Sequence, residues 1–71
     1  MFKVYDFTIP QLGKPIGEAA TLDEAKAIAR AAAPKGATFY EEDDEVKGGA
    51  DILAVYPGTA MSYQFAINEV K

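Results

Sequence analysis

One stretch of this chain has a start, a period and a stop that together specify a helix. Thr21-Leu22-Asp23-Glu24 has the spacing of a capping box. The Thr21 hydroxyl accepts from the Glu24 amide, and the Glu24 side chain reaches back to the Thr21 amide. Asp23 and Glu24 also suit the positive end of the helix dipole. Leu22, Ala25, Ile28, Ala29 and Ala32 then fall on one face at helical spacing, which leaves Lys26 and Arg30 toward solvent. Alanines favour helix and let it lie close to a sheet. Pro34 stops the helix, and Gly36 can take the left-handed turn beyond it. The spacing predicts one helix near residues 21–33.

The flanking segments carry the period of strands. Residues 2–9 are rich in β-branched and aromatic types, and Pro10 ends them. Leu12-Gly13-Lys14-Pro15 is a turn signal, and Ile16–Ala20 can return as a short second strand. Ala37–Glu42 alternates, with Phe39 opposed to Thr38 and Tyr40, and runs into an acidic segment. Val46-Lys47-Gly48-Gly49 reads as a loop. Ile52–Tyr56 is apolar on both faces, as in a central strand. Tyr56-Pro57-Gly58-Thr59 has the composition of a type II turn. In Met61–Val70, Tyr63, Phe65 and Ile67 alternate with Ser62, Gln64, Ala66 and Asn68, as in a half-buried antiparallel strand.

The order is β-(β)-α-β-β-β. The economical solution is an α+β fold, an antiparallel sheet of four or five strands with one helix packed on one face. Its 71 residues make a single domain, 1–71, with one small core and no disulfide to staple it, since there is no Cys. One helix leaves the other sheet face uncovered. Either the Leu53 and Val55 side or the Ile52, Ala54 and Tyr56 side points away from it. That apolar face is a candidate contact surface, and a homodimer is expected, with Ile52, Ala54 or Tyr56 near the contact if their side faces outward.

Charge is concentrated at one place. Glu41-Glu42-Asp43-Asp44-Glu45 holds 5 of the 11 acidic residues, and the remaining 6 stand against 7 Lys and Arg. The net charge of −4 therefore comes from this run. As a recognition patch, with Tyr40 beside it, it can meet a basic groove on a partner protein, even one that normally holds nucleic acid. As a solvated strand end, it discourages edge-to-edge aggregation. As a hard-cation site, it lacks the alternating Asp/Asn spacing and the bidentate Glu of an EF-hand loop.

The composition leaves little for catalysis. With no His and no Cys, the usual general base and the best nucleophile are absent. Ser62 is the single Ser and has no nucleophile elbow around it. Nothing in the spacing requires Asp6 and Asp51 to pair. Gly48-Gly49 and Pro57-Gly58 have no following helix and no phosphate-loop Lys-Ser/Thr pair, so they read as turns. Tyr5, Tyr40, Tyr56 and Tyr63 lack the basic surround of a base-stacking platform and read as core packing with hydroxyls at the rim. With one Arg, no adjoining basic residues and a pI near 4.5, direct nucleic-acid binding is not expected. Met1-Phe2-Lys3-Val4-Tyr5-Asp6 does not read as a signal peptide, and no run approaches the roughly 18 apolar residues of a membrane span. The expected setting is cytoplasmic, with no enzyme activity, cofactor or metal.

Two resemblances sharpen this reading. Ala20-Thr21-Leu22-Asp23-Glu24-Ala25-Lys26-Ala27-Ile28-Ala29, preceded by a hairpin and followed by three strands, is similar in order and length to small phage-borne anti-CRISPR proteins of the single-helix, antiparallel-sheet kind. That resemblance implies an inhibitor that docks on the nucleic-acid-binding surface of a CRISPR surveillance complex. Ile9-Pro10-Gln11-Leu12-Gly13, followed by Thr21-Leu22-Asp23-Glu24-Ala25, resembles the strand-to-helix segment of HicB-type antitoxins. It implies an antitoxin-like or regulatory homodimer that binds through its sheet face or edge strand. The expected function is thus protein binding, either by an inhibitor presenting acid to a basic surface or by such a dimer. The candidate contact residues are Tyr40, Glu41, Glu42, Asp43, Asp44, Glu45, Ile52 and Tyr56.

Overall fold

A computed structural model describes residues 1–71. The elements are β1 (Phe2–Asp6), β2 (Lys14–Ala19), α1 (Leu22–Ala32), β3 (Thr38–Asp44), β4 (Gly49–Val55) and β5 (Ser62–Glu69). The five strands form one sheet in the order β2-β1-β5-β4-β3, with every neighbouring pair antiparallel. The fold is α+β, with the second strand present. Strand β5 takes the middle place, returning between β1 and β4, so the apolar strand β4 is interior without being the central one.

Local chemistry sets the boundaries. The Asp6 carboxylate accepts the Thr8 amide at 2.8 Å and turns the chain, so β1 ends at Asp6 rather than Ile9. The Gly13 amide then donates to the Asp6 carbonyl at 2.8 Å and closes the hairpin, so β2 begins at Lys14, two residues before the expected start. At the helix N-terminus the Thr21 hydroxyl accepts from the Glu24 amide at 3.2 Å, as the capping box requires. The Glu24 carboxylate takes the hydrogen of the Thr21 hydroxyl at 2.9 Å instead of the Thr21 amide. Ala33, before Pro34, is extended, and Gly36 lies at φ 98°. The Tyr56–Thr59 turn closes with the Thr59 amide on the Tyr56 carbonyl at 3.1 Å and Gly58 at φ 79°, as type II geometry demands.

Helix α1 covers one sheet face, packing on β1, β2, β4 and β5. Beneath it lie Val4, Ala50, Ile52, Ala54, Tyr56, Phe65 and Ile67, with Ala25, Ala29 and Ala33 from the helix side. Ile52, Ile67 and Val4 are the largest side chains fully removed from water. Each such burial stabilises by about 1.5–3 kcal/mol. Two expectations for the helix are corrected. Ala32 is exposed and Ala33, one residue on, is buried, because the chain turns toward the sheet at the helix end. Lys26 and Arg30 do not point to open solvent. They flank the buried stripe and reach over β3, where acid meets them. No helix is long and apolar enough to cross a membrane.

Candidate functional site: the uncovered sheet face and its acidic border

Strand alternation sorts the acidic run between two faces. Glu41 and Asp43 stand opposite Ile52 and Ala50, on the face that α1 covers. There Lys26 Nζ lies 2.7 Å from Asp43 Oδ1 and 3.7 Å from Glu41 Oε1, and the Arg30 guanidinium bonds the other Glu41 oxygen. The hydrogen bond to Asp43 raises the Lys26 ammonium above its ordinary pKa. Partial burial opposes the rise, and the charges of Asp43, Glu41 and Asp23 add to it. Asp44 has a separate task, since its Oδ1 accepts the Val46 and Lys47 amides at 3.0 and 3.1 Å and shapes the β3–β4 turn. Glu42 and Glu45 are exposed and enter no ion pair. The five acids are therefore not one solvated patch. Two hold the helix to the edge strand, one holds a turn, and two are free.

The other face of the sheet has nothing over it. Across the strands, one row runs Tyr5, Ala66, Asp51, Glu42. The next runs Phe7, Gln64, Leu53, Tyr40, with the Phe7 amide bonded to the Gln64 carbonyl at 2.8 Å. These rows enclose a shallow groove of about 610 Å³ lined by Phe7, Tyr40, Glu42, Asp51, Leu53 and Gln64. Tyr40 is 60% exposed and Phe7 43%. Tyr5 and Phe7 lie with ring centroids 6.5 Å apart. A second concavity of about 420 Å³ continues past Phe7 along Thr8, Ile9, Ala60 and Met61. Together these form one largely apolar strip with the carboxylates of Glu42 and Asp51 beside its β3–β4 end.

Two expected contact residues are corrected by this arrangement. Ile52 is 2% exposed and Tyr56 9%, because both lie under the helix. Tyr56 packs edge-on against Tyr63 at 5.8 Å and donates its hydroxyl to the Pro34 carbonyl at 2.6 Å. Burial, and secondarily Tyr63, raises its phenol above the ordinary pKa. Leu53 and Val55 take the outward side instead. Tyr40 and Glu42 reach the open face, whereas Glu41 and Asp43 do not. Asp6 and Asp51 lie on opposite faces, so they form no pair. Residue types alone do not bring Phe7, Gln64 and Asp51 to the groove. Their signal is alternation in phase with Leu53 and Tyr40, and it becomes legible only once the strand register is known. No group of three or more acidic side chains is placed to hold a metal ion.

No protein-family model, curated protein or solved structure matches this chain.

Proposed function

We propose that this protein is a non-enzymatic protein-binding module. It docks the uncovered face of its sheet on a basic surface of another protein. The observation that carries this reading is the groove itself. Aromatic and aliphatic side chains stand exposed on a regular sheet face, beside carboxylates that no basic group of the chain fully neutralises. Exposed apolar strips of this kind mark contact surfaces, and acid along the border selects a basic partner and speeds encounter. The sharper form is a cytoplasmic, phage-type inhibitor, similar to anti-CRISPR proteins, that occupies a surface its target otherwise uses for nucleic acid.

The alternative is a regulatory homodimer, and the edges of the sheet disfavour it. Pairing β3 with its own copy would set Glu41, Glu42, Asp43 and Asp44 against one another. The β2 edge carries Pro15 and an irregularity in its register with β1. A dimer would have to stack open faces through Leu53 and Val55, bringing two copies of Glu42 and Asp51 together.

The test uses the full chain as bait, with Leu53→Glu as control. The partner captured by the wild type is then mapped by amide exchange in the complex. Protection of the β4 and β5 amides around Leu53 and Gln64, loss of capture by Leu53→Glu, and displacement by the partner's own nucleic acid are expected. Protection confined to α1, or equal capture by Leu53→Glu, overturns the reading. Self-association that disappears in Leu53→Glu, with no foreign partner, establishes the homodimer instead.

A further inference from the structure

The open groove contains a feature that costs stability and has no structural return. Glu42 and Asp51 are directly opposed on neighbouring strands, with both side chains on the uncovered face. Like charges facing each other across an antiparallel pair destabilise it. Lys47 relieves only one of them, lying 3.2 Å from Asp51 Oδ1 on the turn side, and Glu42 has no cation. Immediately beside this pair, Tyr40 and Leu53 are opposed in the same way on the same face. The four side chains form a square, two carboxylates next to an aromatic ring and a leucine. Its floor continues through Gln64 to Phe7, roughly 14 Å away across three strand spacings.

We infer that this square receives an arginine side chain from an extended basic segment of the partner. The aliphatic stem lies on Leu53 and the Tyr40 ring, and the guanidinium bridges Glu42 and Asp51. The inference rests on the protein-binding reading above and names the chemistry of what enters the groove. Arginine fits better than lysine for three reasons. Its planar fork offers five donors, enough for two carboxylates at once. Its face stacks on an aromatic ring, and its weaker hydration lowers the cost of leaving water. A lysine ammonium can approach two carboxylates, as Lys26 does, but as a compact, strongly hydrated charge without the planar fork or the stacking face. The Phe7 end of the groove is apolar and leaves room for the neighbouring residues of the segment. Once a cation sits between Glu42 and Asp51, the repulsion that costs the free protein stability becomes attraction for the guest.

The experiment is amide and side-chain NMR titration of the full chain with three capped Gly/Ser peptides of equal length. Each carries two arginines, two lysines or two citrullines, citrulline keeping the shape of arginine without its charge. Arginine peptide is expected to shift the signals of Tyr40, Glu42, Asp51, Leu53 and Gln64. It should bind several-fold more tightly than lysine peptide and at least about tenfold more tightly than citrulline peptide, the equivalent of one charge-assisted hydrogen bond. Glu42→Gln and Asp51→Asn should each lower arginine-peptide affinity about tenfold, while Glu45→Gln, on the turn, leaves it unchanged. Glu42→Gln removes a like-charge contact and no ion pair, so it should melt at or above the wild-type temperature and its lost binding is not lost fold, whereas Asp51→Asn also gives up the exposed pair with Lys47. Equal binding of arginine and citrulline peptides in the groove overturns the inference and leaves the protein-binding reading standing. Shifts confined to Glu45 and its turn, with none at Tyr40 or Leu53, also overturn it. Failure of the broader reading shows separately, as equal partner capture by wild type and Leu53→Glu.

Discussion

At the scale of single residues, the tightest constraint is Gly49. A Cβ there would stand 1.7 Å from the Ile67 carbonyl oxygen, so β4 and β5 can run side by side only if this position has no side chain. Gly49→Ala should therefore cost about 3 kcal/mol or more, since backbone cannot step aside as a flexible side chain can. A urea midpoint within experimental error of wild type would contradict this close approach. Lys26 and Tyr56 set a second constraint, on pH. Both hold their protons more tightly folded than unfolded, Lys26 through Asp43 and Tyr56 through burial. Their contribution is therefore fully present below the ordinary Lys and Tyr values of about 10 and is lost as pH rises through the raised ones. Stability should fall on the alkaline side above about pH 10, and Lys26→Met with Tyr56→Phe should flatten that limb. Urea midpoints measured across the alkaline range decide this, and an unchanged slope in the double variant would refute the assignment.

At the scale of elements, β4 shows how two adjacent residues do different jobs. Ile52 is sealed under α1, whereas Leu53 stands on the open face. Ile52→Ala should cost about 3 kcal/mol, as cavities in cores do. Leu53→Ala should cost about 1 kcal/mol or less while weakening partner capture. Chemical denaturation of the pair checks the first claim and capture of the partner the second. A Leu53→Ala variant as unstable as Ile52→Ala would mean that the open face is part of the core. The same strand marks the limit of what sequence could say. Alternation in β5 and the Pro57-Gly58 turn each specify one local geometry and are found as read, and the Thr21–Glu24 box is found in the half that caps the Glu24 amide. Ile52–Tyr56 is apolar on both faces, so its own pattern cannot say which side the helix covers. That choice is made by register, which seats Ile52 opposite Phe65 and Ala54 opposite Tyr63. Lys26 and Arg30 lie over β3 rather than toward solvent for a related reason. Helical spacing puts them next to the buried stripe, but only the sheet order puts acidic β3 within their reach.

At the scale of the whole molecule, the divided acidic run gives one charge segment two separable functions. Glu41 and Asp43 act inside the fold, joining β3 to α1 through Lys26 and Arg30. These pairs are partly exposed, so each contributes about 0.2–1 kcal/mol, and salt screens them. Glu42 and Glu45 face solvent without a basic partner, so their charge is available to an incoming protein. Neutralising the two sets should therefore have opposite signatures. Glu41→Gln with Asp43→Asn should lower the urea midpoint by an amount corresponding to roughly 1 kcal/mol, because it leaves Lys26 half-buried without acid. Its open face is intact, and it should still capture the partner. Glu42→Gln with Glu45→Gln should leave the midpoint equal or higher, because the repulsion between Glu42 and Asp51 is gone. It should slow association with the captured partner at low salt and lose much of the salt dependence, since charge at the border of a contact acts mainly on encounter. Surface plasmon resonance at about 0.05 M and 0.5 M salt, run beside urea titrations, reads both effects at once. If the two double variants shift stability and association together, the run is a single electrostatic unit. If Glu42→Gln with Glu45→Gln associates as fast as wild type at low salt, its charge only keeps the β3 edge from pairing with other chains.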